Sequence, residues 1–219
     1  MTATPDCGGF TFAHYREIIE RALDLGYAFS TFDGHESVHS ERLLLMRHDI
    51  DLSLENCRRF ARIEHDLGVR ATYFVRVHGR LYNPFEYTSY LGLREIESFG
   101  HELGLHYEPG FALAVDEDDE TMVRREKTIL EAILDHPVMS ASAHLPGKTG
   151  TTINDANKAS FEIRYDAYSP HFMKDFKYLS DSNGRWREGC LCQHLGSVDR
   201  LCVLTHGWWW FEKSPVENY

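Results

Sequence analysis

The fold of this chain is decided by the stretch Leu43–Asp51, which reads LLLMRHDID. Its first four residues form an uninterrupted apolar run, which is typical of a strand buried on both faces of a parallel sheet. Polar residues follow at once, beginning with Arg47. In folds built from parallel strands and helices, the active site lies at the carboxyl ends of the strands. The stretch therefore predicts a central strand that delivers polar side chains to a functional site.

The sequence on both sides of this stretch alternates between helical and strand patterns. Helices are predicted over 12–25, 53–67, 86–99 and 116–134, and strands over 27–31, 69–77, 102–106, 138–142, 163–167, 176–179 and 201–204. This alternation indicates an α/β fold with parallel strands, either a barrel or an open sheet. Because no linker, repeat or low-complexity tract interrupts the pattern, residues 1–219 are predicted to form a single domain.

The composition excludes several classes of protein. Hydrophobic residues make up 42% of the chain, which excludes a disordered protein. The 34 acidic residues outnumber the 23 basic ones, so no nucleic-acid partner is expected, because phosphates need clustered Lys and Arg. No membrane span is expected either, since no apolar run approaches the ~20 residues that one needs. The sequence carries no pattern that predicts an oligomeric state.

The N-terminus and the cysteines bear on the cellular compartment. Residues 1–12 lack the basic start and apolar run of a signal peptide, so a cytoplasmic protein is expected. The number of cysteines is five, and Cys190 and Cys192 are one residue apart, a spacing that matches neither a zinc ribbon nor a redox pair. The cysteines are therefore expected to be reduced thiols.

Acidic and histidine side chains recur where the predicted strands end. Asp49 and Asp51 follow the first of these strands, and three later strands end in His106, His144 and His206. Because the carboxyl ends of parallel strands meet at one rim, these side chains are expected to lie together. Four segments that are far apart in the sequence would then supply one site.

The spacing of the two aspartates indicates a metal. Asp49 and Asp51 are two residues apart, so in a strand both project from the same face. Adjacent carboxylates are costly unless a cation or donors neutralise them. A divalent metal held by one Asp and by histidines would do so and would leave the other Asp free as a base, as in hydrolytic zinc sites. The simpler alternative is that Asp51 caps the next helix and Asp49 pairs with Arg47.

Aromatic residues lie next to the same rim. The cluster 208–211 reads WWWF and follows His206 directly. Such rings either stack on sugar faces and close a pocket, or they fill the core. We expect one or two of them to be core and one to face a ligand, with Trp186 as a weaker candidate of the same kind.

Four segments resemble the motifs of the polysaccharide deacetylases, the metal-dependent carbohydrate esterases of family 4. They are Leu43–Asp51, Gly100–Glu108, Ser180–Arg187 and Val203–Trp209. The first is most similar to a bacterial cytoplasmic branch whose first motif reads Arg-His-Asp-x-Asp. The resemblance covers about residues 12–212. It implies a deformed (β/α) barrel with about seven parallel strands.

The resemblance implies roles for the residues at the rim. Asp49 corresponds to the base and Asp51 to a metal ligand, although their separation by one residue leaves the reverse assignment open. His106 matches the first metal-binding histidine of the second motif, and the second histidine falls on Gly110 and is absent. His144 stands where the family has an Arg that orients the base, so it is expected to be either the third metal ligand or an orienting group.

The remaining motifs supply the general acid of the reaction and residues that bind the substrate. Leu204-Thr205-His206 matches the family's last motif, whose histidine acts as the acid. Asp181 and Trp186 match a motif that pairs an Asp with a Trp, and Asp181 is a candidate to orient His206. The expected substrate-binding residues are Asp181, Trp186 and Trp208.

The function implied by the resemblance is that of a metal-dependent hydrolase. It would remove an N-acyl group, expected to be acetyl, from an amino sugar of a surface-polysaccharide precursor. The expected cofactor is a divalent metal, Zn²⁺, and the expected partner is a saccharide or small-molecule substrate. Two alternatives stay open, namely a hydrolase of another non-peptide C–N bond and a catalytically degenerate carbohydrate-binding domain, which the missing histidine at Gly110 favours.

Overall fold

Parallel strands arranged around the predicted central strand build the sheet. The computed structural model describes residues 7, 9–146 and 153–219. Its strands are β1 (Ala28–Ser30), β2 (Leu43–Ile50), β3 (Thr72–Val75), β4 (Glu102–Tyr107), β5 (Ser140–Ala143), β6 (Tyr165–Asp166), β7 (Lys177–Ser180) and β8 (Arg200–Thr205). The spatial order is β6-β5-β4-β3-β2-β8-β7, with β1 beside β2, and every pairing is parallel.

The sheet curls into a half-barrel with helices, which confirms the expected deformed (β/α) barrel. Seven strands form the continuous row, as the resemblance implies, and β1 is a short addition. It pairs with Leu43–Leu45 of β2, whereas β3 pairs with Arg47–Ile50, so β1 and β3 lie along successive parts of that strand. The carboxyl ends of the strands therefore share one rim.

Four of the six helices in the described residues occupy the predicted segments. The six are α1 (Phe12–Asp24), α2 (Leu54–Asp66), α3 (Tyr87–Ser98), α4 (Phe111–Ala114), α5 (Asp119–Leu134) and α6 (Pro170–Lys174). The two short helices α4 and α6 were not predicted. Ser53 is the N-cap of α2, since its side chain accepts a hydrogen bond from the Asn56 N–H. Asp51 is therefore not the cap of this helix, and that part of the simpler alternative is wrong. No described helix has both the length and the apolar character to cross a membrane.

Strand β2 is longer than its apolar run. The polar residues from Arg47 to Asp49 remain within the strand because they pair with β3 on one side and, as far as His48, with β8 on the other. All eight residues of β2 are buried. The apolar run alone predicted a strand that stops at Met46, because a buried strand seldom carries three consecutive polar residues.

The alternation of side chains along β2 places the site. Leu44 and Met46 belong to the larger core, packed with the helices, whereas Leu43 and Leu45 belong to a smaller second cluster. Successive residues of a strand face opposite sides, so the face of Leu43 and Leu45 continues through Arg47, Asp49 and Asp51. The inner face of the half-barrel is therefore apolar at one end and charged at the rim.

His48 points to the helix side, as the alternation predicts. Its ring stacks against Phe60 and Tyr73 with centroid distances of 4.7 and 4.4 Å. Its Nε2 lies 2.8 Å from Oε1 of the fully buried Glu64 on α2. Burial opposes ionisation of Glu64, but His48 lowers the pKa of this carboxyl. The resulting buried pair ties β2 to α2 directly behind the charged rim.

Candidate metal and active site

Three polar side chains from the ends of β2, β4 and β5 converge at the rim. Asp51 Oδ1 lies 3.2 Å from His106 Nε2 and 3.1 Å from His144 Nδ1. The two imidazole nitrogens are 3.3 Å apart. One ligand atom from each residue lies within 4.8 Å of the others, which is close enough for all three to bind one ion. Asp51 and His106 were expected to bind a metal, and His144 was expected to be either the third ligand or an orienting group.

The donor atoms fit a divalent cation. His106 Nδ1 lies 2.9 Å from the carbonyl oxygen of Ser142, which can only accept, so when the imidazole is neutral its proton is on Nδ1. The Nε2 lone pair then faces Asp51 Oδ1, a buried oxygen that has no hydrogen-bond donor among the described residues. Two lone pairs at this distance repel each other unless a proton on Nε2 or a metal cation lies between them. Burial opposes a charge on His106, but Asp49 and Asp51 raise the pKa of His106, so the pair attracts a positive charge of either kind. A backbone carbonyl that fixes the tautomer is the usual support of a metal-binding histidine.

Asp49 lies beside this trio. It is 3% exposed, and its Oδ2 lies 3.7 Å from His106 Nε2. Burial opposes its ionisation, but the neighbouring charges of Arg47 and the two histidines His106 and His206 lower the pKa of Asp49. Asp49 is therefore an ionised carboxylate next to the candidate metal ligands, as a base requires.

Arg47 holds the Asp49 carboxylate. Its Nη2 lies 3.1 and 2.9 Å from the two carboxylate oxygens and donates to Ser142 Oγ at 2.6 Å. The guanidinium carbon lies 4.7 Å from the ring centroid of Tyr168 and 5.2 Å from that of Phe74. The ion pair between Arg47 and Asp49, which the simpler alternative predicted, is therefore present. It occurs together with the three candidate metal ligands.

Arg47 is the functional candidate that the sequence analysis missed. The resemblance places an arginine that orients the base on a later segment, where this chain has His144. In the structure the guanidinium comes instead from β2, two residues before Asp49 and on the same face. This i, i+2 spacing was the available signal, because it already required both side chains to point into the half-barrel.

His206 and Asp181 form a second unit at the rim. His206 Nδ1 donates to Asp181 Oδ1 at 2.6 Å, and the other oxygen accepts from the His206 backbone N–H and from Trp210 Nε1, both at 2.9 Å. His206 Nε2 is thereby left facing Asp51, 3.8 Å from its Oδ2. Burial disfavours the imidazolium, but the hydrogen bond to Asp181 and the charges of Asp181, Asp49 and Asp51 raise the pKa of His206 to about 9.

The position of Asp181 corrects its expected role. It was expected to bind substrate, but it is fully buried, and the three hydrogen bonds that its carboxylate accepts come from His206 and Trp210. It does not line the cleft at the rim. Asp181 therefore orients His206 from behind, which the sequence analysis also considered.

A cleft of about 590 Å³ opens over these groups. Asp49, Asp51 and His206 lie in its wall, together with Trp186 and Trp208, which are both partly buried. Trp210 is fully buried under the cleft, and Trp209 lines the cleft beside Trp208, so two rings of the aromatic cluster face the cleft where one was expected. The volume lies within the range of small-ligand sites.

Gly110 stands where the resemblance expects a second metal-binding histidine. Gly110 has φ +82° and precedes α4, a left-handed conformation that favours glycine over histidine. A histidine at this position would therefore be strained in the conformation that the chain has here. The third nitrogen near Asp51 comes from His144, at the end of the neighbouring strand β5.

Comparisons by sequence find no relatives: no protein-family model and no curated protein sequence matches this chain. Comparisons by structure find several similar proteins. The chain is similar to IcaB from Ammonifex degensii, with a TM-score of 0.50 and 17% identity over 69% of this chain and 73% of that one. It is similar to the deacetylase PplD from Streptococcus pyogenes, solved in complex with acetate, with a TM-score of 0.51 and 13% identity over 87% and 79%.

A third similar structure is a mutant of a CE4 family pseudoenzyme from Bacillus anthracis with restored enzymatic activity. The TM-score is 0.50 and the identity is 14% over 81% of this chain and 59% of that one. At these identities the likeness concerns the fold. The chain has the fold of the family 4 carbohydrate esterases, which confirms the resemblance at the level of architecture.

Proposed function

We propose that this chain is a metal-dependent hydrolase that removes an N-acyl group, expected to be acetyl, from an amino sugar of a surface-polysaccharide precursor. The observation that carries the proposal is the convergence of the Asp51, His106 and His144 trio with Asp49 and His206 at one rim, where Asp49, Asp51 and His206 line a cleft. The fold shared with carbohydrate deacetylases supports it.

Asp51, His106 and His144 would hold the divalent cation, for which Zn²⁺ is the expected identity. Two nitrogens and one carboxylate oxygen are a common ligand set of hydrolytic zinc sites with an open position. When bound, the cation would lower the pKa of water and polarise the acyl carbonyl.

The protein's own residues account for the proton transfers. Asp49 accepts a proton from the attacking water as the new C–O bond forms, and Arg47 keeps its carboxylate oriented and ionised. His206, protonated on Nε2 and held by Asp181, donates a proton to the amide nitrogen as the C–N bond breaks. The products are the free amine and the carboxylic acid, so one water molecule is consumed for each acyl group released.

The aromatic wall bears on the substrate class. Trp186 and Trp208 line the cleft beside His206 and present partly exposed rings. A sugar ring has apolar C–H faces, which pack well against such rings. This arrangement favours a saccharide over a compact charged substrate.

The test is an acyl-release assay on the purified protein. We expect acetate to be released from N-acetylated amino-sugar oligosaccharides, the activity to be lost on treatment with a chelator, and added Zn²⁺ to restore it. Formylated sugars and cyclic amides in the same panel test the other C–N hydrolase. A zinc-loaded protein that binds the oligosaccharides but releases no acid from any substrate would contradict the proposal and identify the degenerate binding domain.

Replacing Arg47 with Lys tests its role as a positioning residue. Lysine keeps the positive charge but loses the planar guanidinium that contacts both Asp49 oxygens. We expect kcat to fall by about 10- to 100-fold with KM and zinc content unchanged, because a misplaced base slows chemistry more than binding. The matched control is Arg42→Lys, one position before the same strand, where the partner is the exposed Asp199. Loss of zinc along with kcat would show that Arg47 only supports the fold.

A further inference from the structure

A second group of metal-binding side chains lies outside the residues that line the cleft. The sulfur atoms of Cys7, Cys190 and Cys192 and a ring nitrogen of His14 all lie within 4.8 Å of one another. His14 and Cys190 are buried, and Cys7 and Cys192 are partly buried. The mechanism proposed above uses none of the four. Three thiols and an imidazole in one partly buried cluster therefore need a separate explanation.

The fold brings these residues together from three segments. His14 lies in the first turn of α1, and Cys190 and Cys192 flank Leu191 in a short 3₁₀ turn, Leu191–Gln193, that packs against α1. The segment that leads into α1 is fixed by backbone hydrogen bonds between Phe211 and the residues Phe10 and Phe12. Gly9, with φ +62°, turns the chain just after Cys7. Three local structures thus place the four residues, and the turn at 191–193 supplies two of them.

The tautomer of His14 points its lone pair at the sulfur atoms. Nδ1 lies 3.4 Å from a carboxylate oxygen of Glu17, which can only accept, so Nδ1 carries the proton. Nε2 is then unprotonated, and it lies 3.5 Å from Cys190 Sγ. A carboxylate that fixes the tautomer from the far side is typical of metal-binding histidines.

The spacing fits a tetrahedral zinc ion. Zn–S bonds of about 2.3 Å and Zn–N bonds of about 2.0 Å place neighbouring sulfur and nitrogen ligands about 3.5 Å apart in a tetrahedron. The distance between Cys190 Sγ and His14 Nε2 agrees with this edge. A disulfide would use two of the thiols, leave the third alone and give the imidazole no role.

We propose that Cys7, His14, Cys190 and Cys192 form a structural Cys₃His zinc site. Four protein ligands close the coordination shell, which is typical of structural zinc and unlike the three-residue trio in the cleft. The site would clamp the N-terminal segment and α1 to the turn after Trp186. Phe10, between the first two ligands, stacks on Trp186 at 6.1 Å, so the clamp also supports the cleft wall.

The experiment counts zinc and identifies its ligands in the full chain. Elemental analysis is expected to find two zinc ions per chain in the wild type, one in Asp51→Asn and one in Cys7→Ser/Cys192→Ser. The control Cys202→Ala, which changes a buried cysteine of β8 outside the cluster, is expected to retain both. Cobalt-loaded Asp51→Asn is expected to show thiolate-to-metal charge-transfer absorption, and the double cysteine variant is expected to lack it.

A measurement on unaltered cysteines covers the case in which the double variant fails to fold. An organomercurial that titrates thiols is expected to release one equivalent of zinc from Asp51→Asn, detected with a metallochromic dye. Absence of charge-transfer absorption, absence of released zinc, or a disulfide among the three cysteines in freshly purified protein would overturn the proposal. Because Asp51→Asn lacks the proposed catalytic metal, these results are independent of whether the chain is a deacetylase.

Discussion

Replacing Asp51 with Asn is expected to remove the cation from the cleft and to abolish acyl release. Asp51 Oδ1 is the oxygen that both imidazoles approach, at 3.1 and 3.2 Å. An amide of the same shape has no negative charge to bind the ion. Loss of residues that only support a ligand lowers metal affinity 10- to 100-fold, so losing a ligand itself is expected to cost more than ~100-fold. Zinc per chain after dialysis and acetate release are the two measurements.

The matched variant is Asp49→Asn, on the same face of the same strand. It is expected to retain the zinc that Asp51→Asn loses and to lose the activity, because Asp49 is held by Arg47 and lies further from the His106 nitrogen than Asp51 does. Asp199→Asn serves as the exposed control. If Asp49→Asn loses the zinc and Asp51→Asn keeps it, the two roles are reversed, which is the alternative that the sequence left open.

The sequence predicted the rim well because its signals there are local. The apolar run at Leu43 and the two-residue spacing of Asp49 and Asp51 follow from the geometry of a single strand. That the ends of β4 and β5 lie at the same rim as this strand end follows from parallel topology. Whether His144 is a ligand or an orienting group depends on how the chain turns after β5, which no spacing rule predicts. In the structure the His144 side chain contacts Asp51, and the Arg47 side chain donates to Asp49.

The sequence failed where the signal is not local. Cys190 and Cys192 match no zinc motif by spacing, and the other two candidate ligands, Cys7 and His14, lie more than 170 residues earlier in the chain. Only the packing of α1 on the turn at 191–193 brings them together. The prediction that Asp181 binds substrate was wrong for a related reason. A motif shows that a carboxylate lies near the rim, but it does not show whether the side chain faces the ligand or the core. Its complete burial decides this.

Replacing His206 with Ala is expected to lower the rate of amide hydrolysis by about 10²- to 10⁴-fold, the usual contribution of a general acid. An amine leaves poorly without a proton, and His206 Nε2 is the group that faces the Asp51 side of the cleft while Nδ1 is held by Asp181. Its pKa of about 9 keeps it protonated at neutral pH. Zinc content and KM are expected to stay near wild-type values, because His206 is not one of the three candidate ligands.

An aryl acetate separates this role from a general loss of structure. A phenolate with a low pKa leaves without a proton, so the His206→Ala variant is expected to hydrolyse the ester at close to the wild-type rate while it fails on the amide. His39→Ala, which changes an exposed histidine, is the control and is expected to keep both activities. Equal losses on amide and ester would mean that His206 shapes the site without supplying a proton, and an unchanged amide rate would remove it from the mechanism. The contrast between the two substrates therefore tests the proton transfer itself.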